Sequence, residues 1–413
     1  MHGDRRGGPL HVSIANILVY GGCPGPRRAV RTEAAAVRDL RADAARGLDE
    51  AARERDRERT RRVATKVADD GSGRPPDAFA ARPASFSRDR GPVHAPRASS
   101  RHERVIHPMH TVLGANGPIG EELAKELYRT FTRDIRLVSR NPAKVHDTDQ
   151  LVKADLTDPE AAARAVEGSE VAYLTVGLPM DSELWERQFP VMMRNVIDAC
   201  ATYGTKLVFF DNTYMYPGTT TPQTESTRFE PNGRKGRVRA EIANTLLAAM
   251  AAGTVDAVIC RAPEFYGPGK TKSLTNSLVF DRIKAGKRPF VPVSAKTVRS
   301  LIWTPDASRA MALIGNTPDA YGQTWHLPVD PHRLTYAELI GVAEEVTGRR
   351  IPYTVLPLAV FTVGGRFVGP LGEVEELLPR YRGDNVFDSS AFTRRFPDFA
   401  VTSYREGVTE ILA

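Results

Sequence analysis

Three glycines, Gly114, Gly117 and Gly120, stand in the stretch HTVLGANGPIGEEL at residues 110–123. A short apolar run, Val112 and Leu113, leads into them, and Ile119, Leu123 and Leu127 follow at helical spacing. This pattern predicts a strand, a tight turn and a helix. In such a turn the first glycine lets the chain reverse, and the second lets backbone approach a pyrophosphate. The third lets helix and strand pack closely. Free N–H groups at the helix start then face the anion. The chemistry implied is dinucleotide binding, with Asn116 and Ile119 inside the cradle.

The type of dinucleotide is read from the second strand. An acidic residue at the carboxyl end of that strand would take the ribose hydroxyls. Asp134 lies at the opposite end, and the carboxyl end reads Ser139-Arg140-Asn141. A guanidinium offers a fork of donors that suits a 2′-phosphate. NADP(H) is therefore favoured over NAD(H). Asp155 and Leu156 after the third strand are expected beside adenine, and Val176 and Gly177 after the fourth along the cofactor.

Four segments, GANGPIG, ADLTD, FFDNTYMYPG and RAPEFYGPG, occur in that order. Together they resemble the extended short-chain dehydrogenases/reductases, the NAD-dependent epimerase/dehydratase group, over about residues 109–413. The resemblance implies a Rossmann domain and a C-terminal substrate domain. It also implies hydride chemistry on a carbonyl, alcohol, sugar-nucleotide or activated alkene substrate. It places Tyr216 and Tyr266 near that substrate, and Arg261 either there or in a structural role. The family works with a Ser/Thr after the fifth strand and a Tyr-x-x-x-Lys on the next helix, where the lysine holds ribose and lowers the phenol's pKa. This chain departs from that pattern. With Tyr216 set on the family's Val-Tyr-Gly tyrosine, Asn212 falls at the Ser/Thr place. On the helix NGRKGRVRAEI, Gly233 falls at the tyrosine place and Arg237 at the lysine place, with Lys235 two residues off register. A Tyr-x-x-x-Lys spacing does occur at Tyr266 and Lys270. The Gly-Pro-Gly between them forbids the helical turn that would stack the two side chains.

Three readings of the missing relay stay open. Tyr214 or Tyr216 supplies the phenol, with Lys235 or Arg237 near the ribose; the substrate needs little acid catalysis; or the protein is a non-catalytic dinucleotide-binding redox sensor. Catalytic candidates are Tyr214, Asn212 and Lys235, with Tyr214 foremost. Asn212 would donate to the substrate oxygen.

The elements that must position these residues follow from periodicity. Strands are expected near 110–113, 135–139, 151–154, 171–176, 206–210 and 255–260, with helices between them. The fold class is α/β, a Rossmann-type doubly wound parallel sheet with a smaller C-terminal substrate-binding cap. The Rossmann domain is assigned to 109–262 with parts of 300–330, and the cap to 263–413. A helix over 336–346 is the clearest element of the cap. Asp306 is read as a helix N-cap, and His326 as a packed histidine.

Of the 413 residues, 57 are Lys or Arg and 50 are Asp or Glu, giving a formal charge of +7. Residues 1–108 hold 22 of the basic and 14 of the acidic residues, which leaves 35 against 36 in the remainder. The basic balance therefore belongs to the leader, and the folded part is not expected to bind nucleic acid. This Arg/Ala/Pro-rich leader is read as disordered. Met109 directly precedes the first strand, so the leader is read as an over-extended reading frame in preference to a tail for an acidic partner. The three cysteines (Cys23, Cys200, Cys260) have no metal spacing, and Cys200 and Cys260 are expected to be buried inert thiols. No metal set, Gly-x-Ser-x-Gly elbow, secretory signal or membrane span is read. The expected partner is a small-molecule substrate and the expected compartment cytoplasmic. A homodimer through the long helices stays open.

Overall fold

The computed structural model describes residues 108–365 and 369–413; the leader, but for its last residue, lies outside the described residues. The first half is a regular alternation: β1 (His110–Leu113), α1 (Pro118–Thr130), β2 (Ile135–Ser139), β3 (Gln150–Lys153), α2 (Pro159–Val166), β4 (Val171–Leu174), α3 (Ser182–Tyr203), β5 (Lys206–Asp211), α4 (Arg234–Ala251) and β6 (Ala257–Arg261). These strands begin and end within two residues of the expected positions. After them come β7 (Glu264–Tyr266), a π-turn (Asn276–Phe280), α5 (Asp281–Lys284), β8 (Phe290–Pro292), β9 (Val298–Arg299), β10 (Leu301–Trp303) and α6 (Thr304–Gly315). The chain ends with β11 (Thr324–His326), β12 (Leu334–Thr335), α7 (Tyr336–Thr347), β13 (Thr354–Leu356), α8 (Leu358–Gly365), α9 (Gly369–Glu375), a 3₁₀ turn (Leu378–Tyr381), α10 (Ser390–Arg395) and α11 (Tyr404–Leu412).

The central sheet has seven strands in the order β11-β6-β5-β4-β1-β2-β3. All its pairings are parallel. Successive residues of a strand point to opposite faces. Val112 thus joins the core under α1 and α6, and Leu113 the core under α2, α3 and α4. On α1, Ile119, Leu123, Ala124 and Leu127 form the buried stripe that seats the helix. Strand order reverses between β1 and β4, which opens a crevice beyond the carboxyl ends of the strands.

The residues after β6 build a third core from Tyr266, Phe280, Trp303, Tyr336, Leu378, Tyr404 and their neighbours. A buried polar knot braces it. Glu264 pairs with Arg299 at 3.2 Å and accepts from Thr275 Oγ1 (2.6 Å), Tyr336 OH (3.2 Å) and Tyr381 OH (2.7 Å). Asp306 does not cap its helix as expected. α6 starts at Thr304, so Asp306 lies inside the first turn, and its carboxylate takes Thr402 N (2.6 Å) and Thr402 Oγ1 (3.0 Å).

Candidate active site

The glycine turn after β1 is built as the sequence demands. Gly114 has φ +96°, and a Cβ there would lie 2.8 Å from both N and Cα of Val176. A Cβ on Gly120 would lie 2.8 Å from Gly114 O and 2.9 Å from Ala115 Cα. At Gly117 the nearest atom would be 3.5 Å away, so that side of the turn is free for a ligand. Helix α1 begins at Gly117 with no side-chain cap and Pro118 in its first turn, so no side chain competes for its leading N–H groups. Asn116 Nδ2 donates to Asn141 O (2.6 Å) and ties the turn to the end of β2. Ile119 is buried. Gly177, past the end of β4, is exposed with open space around it. This cradle fits a dinucleotide diphosphate.

At the expected adenosine end, Ser139 Oγ accepts from Asn141 N (3.1 Å) and shapes the turn. Arg140 is exposed and has neither a hydrogen bond nor an ion pair among the described residues. Asp155 is fixed by Thr157, whose N and Oγ1 donate to Oδ1 at 3.0 and 2.7 Å and hold the carboxyl below its ordinary pKa. Leu156 is buried, and its carbonyl takes Asn195 Nδ2 (2.9 Å). Asp134 sits at the amino end of β2, away from the cradle, and accepts from Gln150 Nε2 (3.0 Å).

Beyond β5 the candidates separate. Asn212 Oδ1 accepts from Tyr214 N (3.0 Å), and its amide nitrogen has no partner among the described residues. The Tyr214 ring lies parallel to Trp185 (centroids 6.2 Å, 7°) and carries the Arg380 guanidinium 5.6 Å from its centroid. Its phenol has no hydrogen-bond partner among the described residues, and the side chain is half-buried. Lys235 is fully committed. It is 1% exposed, donates to Ser182 Oγ (2.7 Å) and Glu373 O (2.8 Å), and pairs with the Glu373 carboxylate. The Glu376 carboxylate caps α4, accepting from Arg234 N (2.7 Å) and Lys235 N (2.9 Å). Gly233 makes room for it: with φ +93°, a Cβ there would lie 2.2 Å from Glu376 Oε2. Arg237 is exposed. Lys270 is not stacked on Tyr266 but reaches α1, donating to Glu121 Oε2 (2.6 Å).

The residues expected near substrate lie further inside. Tyr216, Arg261 and Tyr266 are each 1% exposed and offer no face to a ligand in this structure. Asp211, at the end of β5, pairs with Arg239 from α4 and with Arg261 from β6 (3.0 Å). Arg261 Nη1 donates to Tyr216 OH (2.8 Å). Tyr216 OH lies 2.7 Å from His326 Nε2, and His326 Nδ1 lies 2.8 Å from Asp388 O. The carbonyl can only accept, so Nδ1 carries the proton and Nε2 accepts from Tyr216. His326 also stacks on Phe387 (3.9 Å, 12°), a packed histidine as expected. Burial lowers its pKa from 6.5 to about 3, and that of His110 to about 4. The unfolded chain therefore binds these protons first. Stability is full above about pH 6.5 and declines as pH falls towards the folded values. Denaturant midpoints at neutral pH and within that window should decline accordingly. His326→Phe, though less stable, should show a shallower decline.

Sequence reasoning missed Arg239, Glu373, Glu376 and Arg380, since each acts through a partner distant in sequence. The recess between α1, α6 and residues 395–400, about 490 Å³, is not a rival site. It sits at the opposite end of α1, and its Arg129, Arg309 and Arg395 are all paired. No cluster among the described residues could hold a metal, and no described helix is long and apolar enough to cross a membrane. Cys200 and Cys260 are buried free thiols, and burial raises both pKa values, that of Cys200 to about 12.

Residues 110–327 match the model of the NAD dependent epimerase/dehydratase family. The chain is 26% identical over 311 residues to the 2'-dehydrokanamycin reductase of Streptomyces kanamyceticus, covering 73% of this chain and 82% of that one. It shares its fold with the Thermus thermophilus UDP-glucose 4-epimerase complexed with NAD (TM-score 0.58, 16% identity, 74% of this chain and 97% of that one). The dTDP-glucose 4,6-dehydratase DesIV of Streptomyces venezuelae, with NAD bound, is likewise similar (TM-score 0.58, 16% identity, 74% and 95%). A parallel sheet with an open glycine cradle at its switch point, and the family model over more than half the chain, lead to one assignment. The chain is an enzyme of the NAD-dependent epimerase/dehydratase family.

Proposed function

We propose that the chain is an NADP(H)-dependent reductase or epimerase that transfers hydride at a carbonyl, alcohol, sugar-nucleotide or activated-alkene carbon, with Tyr214 as proton donor. One observation carries the choice of Tyr214. Of the two phenols in the loop after β5, that of Tyr214 has no hydrogen-bond partner among the described residues, whereas Tyr216 is bound to His326; Lys235 is committed to Glu373. When bound, the nicotinamide supplies or accepts the hydride. In the reducing direction the hydride joins the carbonyl carbon and the C=O electron pair moves to oxygen. Tyr214 then gives its phenolic proton to that oxygen, and the amide nitrogen of Asn212 donates a hydrogen bond to it. Asp211, Arg239, Arg261 and Tyr216 keep this loop in place from behind. The similarity to a named reductase supports the reducing direction.

Arg140, exposed and unpaired directly after β2, supports NADP(H) over NAD(H). Arg140→Asp should weaken NADP(H) by about one to two orders of magnitude, the loss of charge-assisted bonds to a phosphate. NAD(H) affinity should change little, and an equal loss for both would remove the phosphate argument. Binding is read by nucleotide fluorescence. The enzymatic reading is tested by mixing protein and NADPH with a panel of ketones, aldehydes and enones and following NADPH oxidation. Tight cofactor binding with no turnover on any of them would overturn it.

A further inference from the structure

A phenol can pass a proton near neutral pH only if something stabilises the phenolate it leaves behind. In this protein the cations of α4 are not free for that task, Arg239 being paired with Asp211. Lys235 is neutralised by Glu373, and Arg237 is exposed on the helix surface. A cation nevertheless sits on the Tyr214 ring. It is Arg380, 5.6 Å from the ring centre, with Nη1 3.5 Å from Thr213 O.

The turn that delivers Arg380 is rigidly held. Leu378 is fully buried, Tyr381 OH donates to Glu264 (2.7 Å), and Arg299 Nη1 donates to the Arg380 carbonyl (3.0 Å). The charged groups acting on Tyr214 are Arg380, Arg239, Glu264 and Glu376. Three of these have charge-bearing partners of their own. Arg239 pairs with Asp211, Glu264 with Arg299, and Glu376 lies 3.8 Å from Lys235 at the start of α4. Arg380 has no carboxylate in ion-pair range among the described residues. Its charge is thus left to act on the phenol.

We infer that Arg380 is the electrostatic partner of Tyr214, supplied from the C-terminal region in place of the helix lysine: it positions the ring and stabilises the phenolate. The inference rests on the reading of Tyr214 as proton donor. Burial raises the phenol's pKa, and Arg380 is the strongest influence drawing it back down. The competent site therefore exists only when the Leu378–Tyr381 turn is docked.

The test installs 3,5-difluorotyrosine at position 214 by codon suppression, which brings the phenol's titration into a pH range the fold withstands. Its ionisation is read by ¹⁹F NMR in the full-length protein, with and without NADP⁺. Arg380→Met should raise the pKa by about one unit or more, and Arg380→Lys should restore most of the shift. The phenol-dependent limb of the kcat profile, measured with ordinary tyrosine, should move upward in the same variants. If Arg380→Met does not fold, Arg380→Gln removes the charge while keeping a donor for Thr213 O. An unchanged phenol pKa in a folded, uncharged variant overturns the inference. The two readings fail differently: if Tyr214 is not the proton donor, Tyr214→Phe stays active while the fluorine titration still shifts. If Arg380 is not its partner, Tyr214→Phe is inactive and the titration does not shift.

Discussion

Tyr214→Phe is expected to lower kcat by about two to four orders of magnitude, the usual worth of a positioned acid or base. The change removes one oxygen atom. That oxygen has no hydrogen bond among the described residues to lose, so the fold should not notice its removal. The ring keeps its stack on Trp185 and its contact with Arg380. Dinucleotide affinity should stay at the wild-type level, because the glycine cradle is formed by other elements. The contrast with Tyr216→Phe is informative. That variant loses the bonds to His326 and Arg261 and should lower stability while sparing much of the chemistry. Thermal melting and steady-state kinetics on both variants separate the two roles. Near-normal turnover in Tyr214→Phe would remove it as proton donor.

The largest effect on stability should come from Asp211. Its carboxylate lies between Arg239 and Arg261, and all three side chains are under 5% exposed. Burying two guanidinium groups is tolerable only with an anion between them. Asp211→Ala would leave both uncompensated, at a cost of about 3–5 kcal/mol for a buried pair broken from one side. A whole domain is typically stable by only about 5–15 kcal/mol, so this variant should sit near the edge of folding. Asp211 Oδ1 also accepts from Asn212 N (2.8 Å), so the loop after β5 should loosen with it. Denaturant midpoints measure the cost. A loss below about 1 kcal/mol would mean that the cluster behaves as a solvated surface pair.

The glycine cradle and the strands of the sheet were legible in the sequence for local reasons. Gly114 and Gly120 are forced by contacts within a single strand–turn–helix unit and its neighbouring strand. Short apolar runs likewise mark β1, β2 and β4 within a few residues each, and every residue of β1 and β4 is buried. The fate of Lys235 was not legible: its partners Glu373 and Glu376 lie some 140 residues away. The same holds for Arg380, whose chemical setting exists only once a turn near the C-terminus meets the loop after β5. Tyr266 was read as facing substrate, and Arg261 as facing it or as structural, because their motif resembles the family's substrate loop. The third core and the Asp211 cluster instead draw both inside. Asp306 misled in the same way, since its partner Thr402 belongs to a distant turn.

Positions 233 and 376 are locked in epistasis. An aromatic side chain at 233 would have its first carbon 2.2 Å from the Glu376 carboxylate, on a backbone at φ +93° that disfavours any L-residue but glycine. A side chain at 233 would have to displace the Glu376 carboxylate from its place at the start of α4. Its departure would uncap α4 and unsettle the buried Lys235. The glycine and the glutamate therefore have to change together if position 233 is to carry any other side chain.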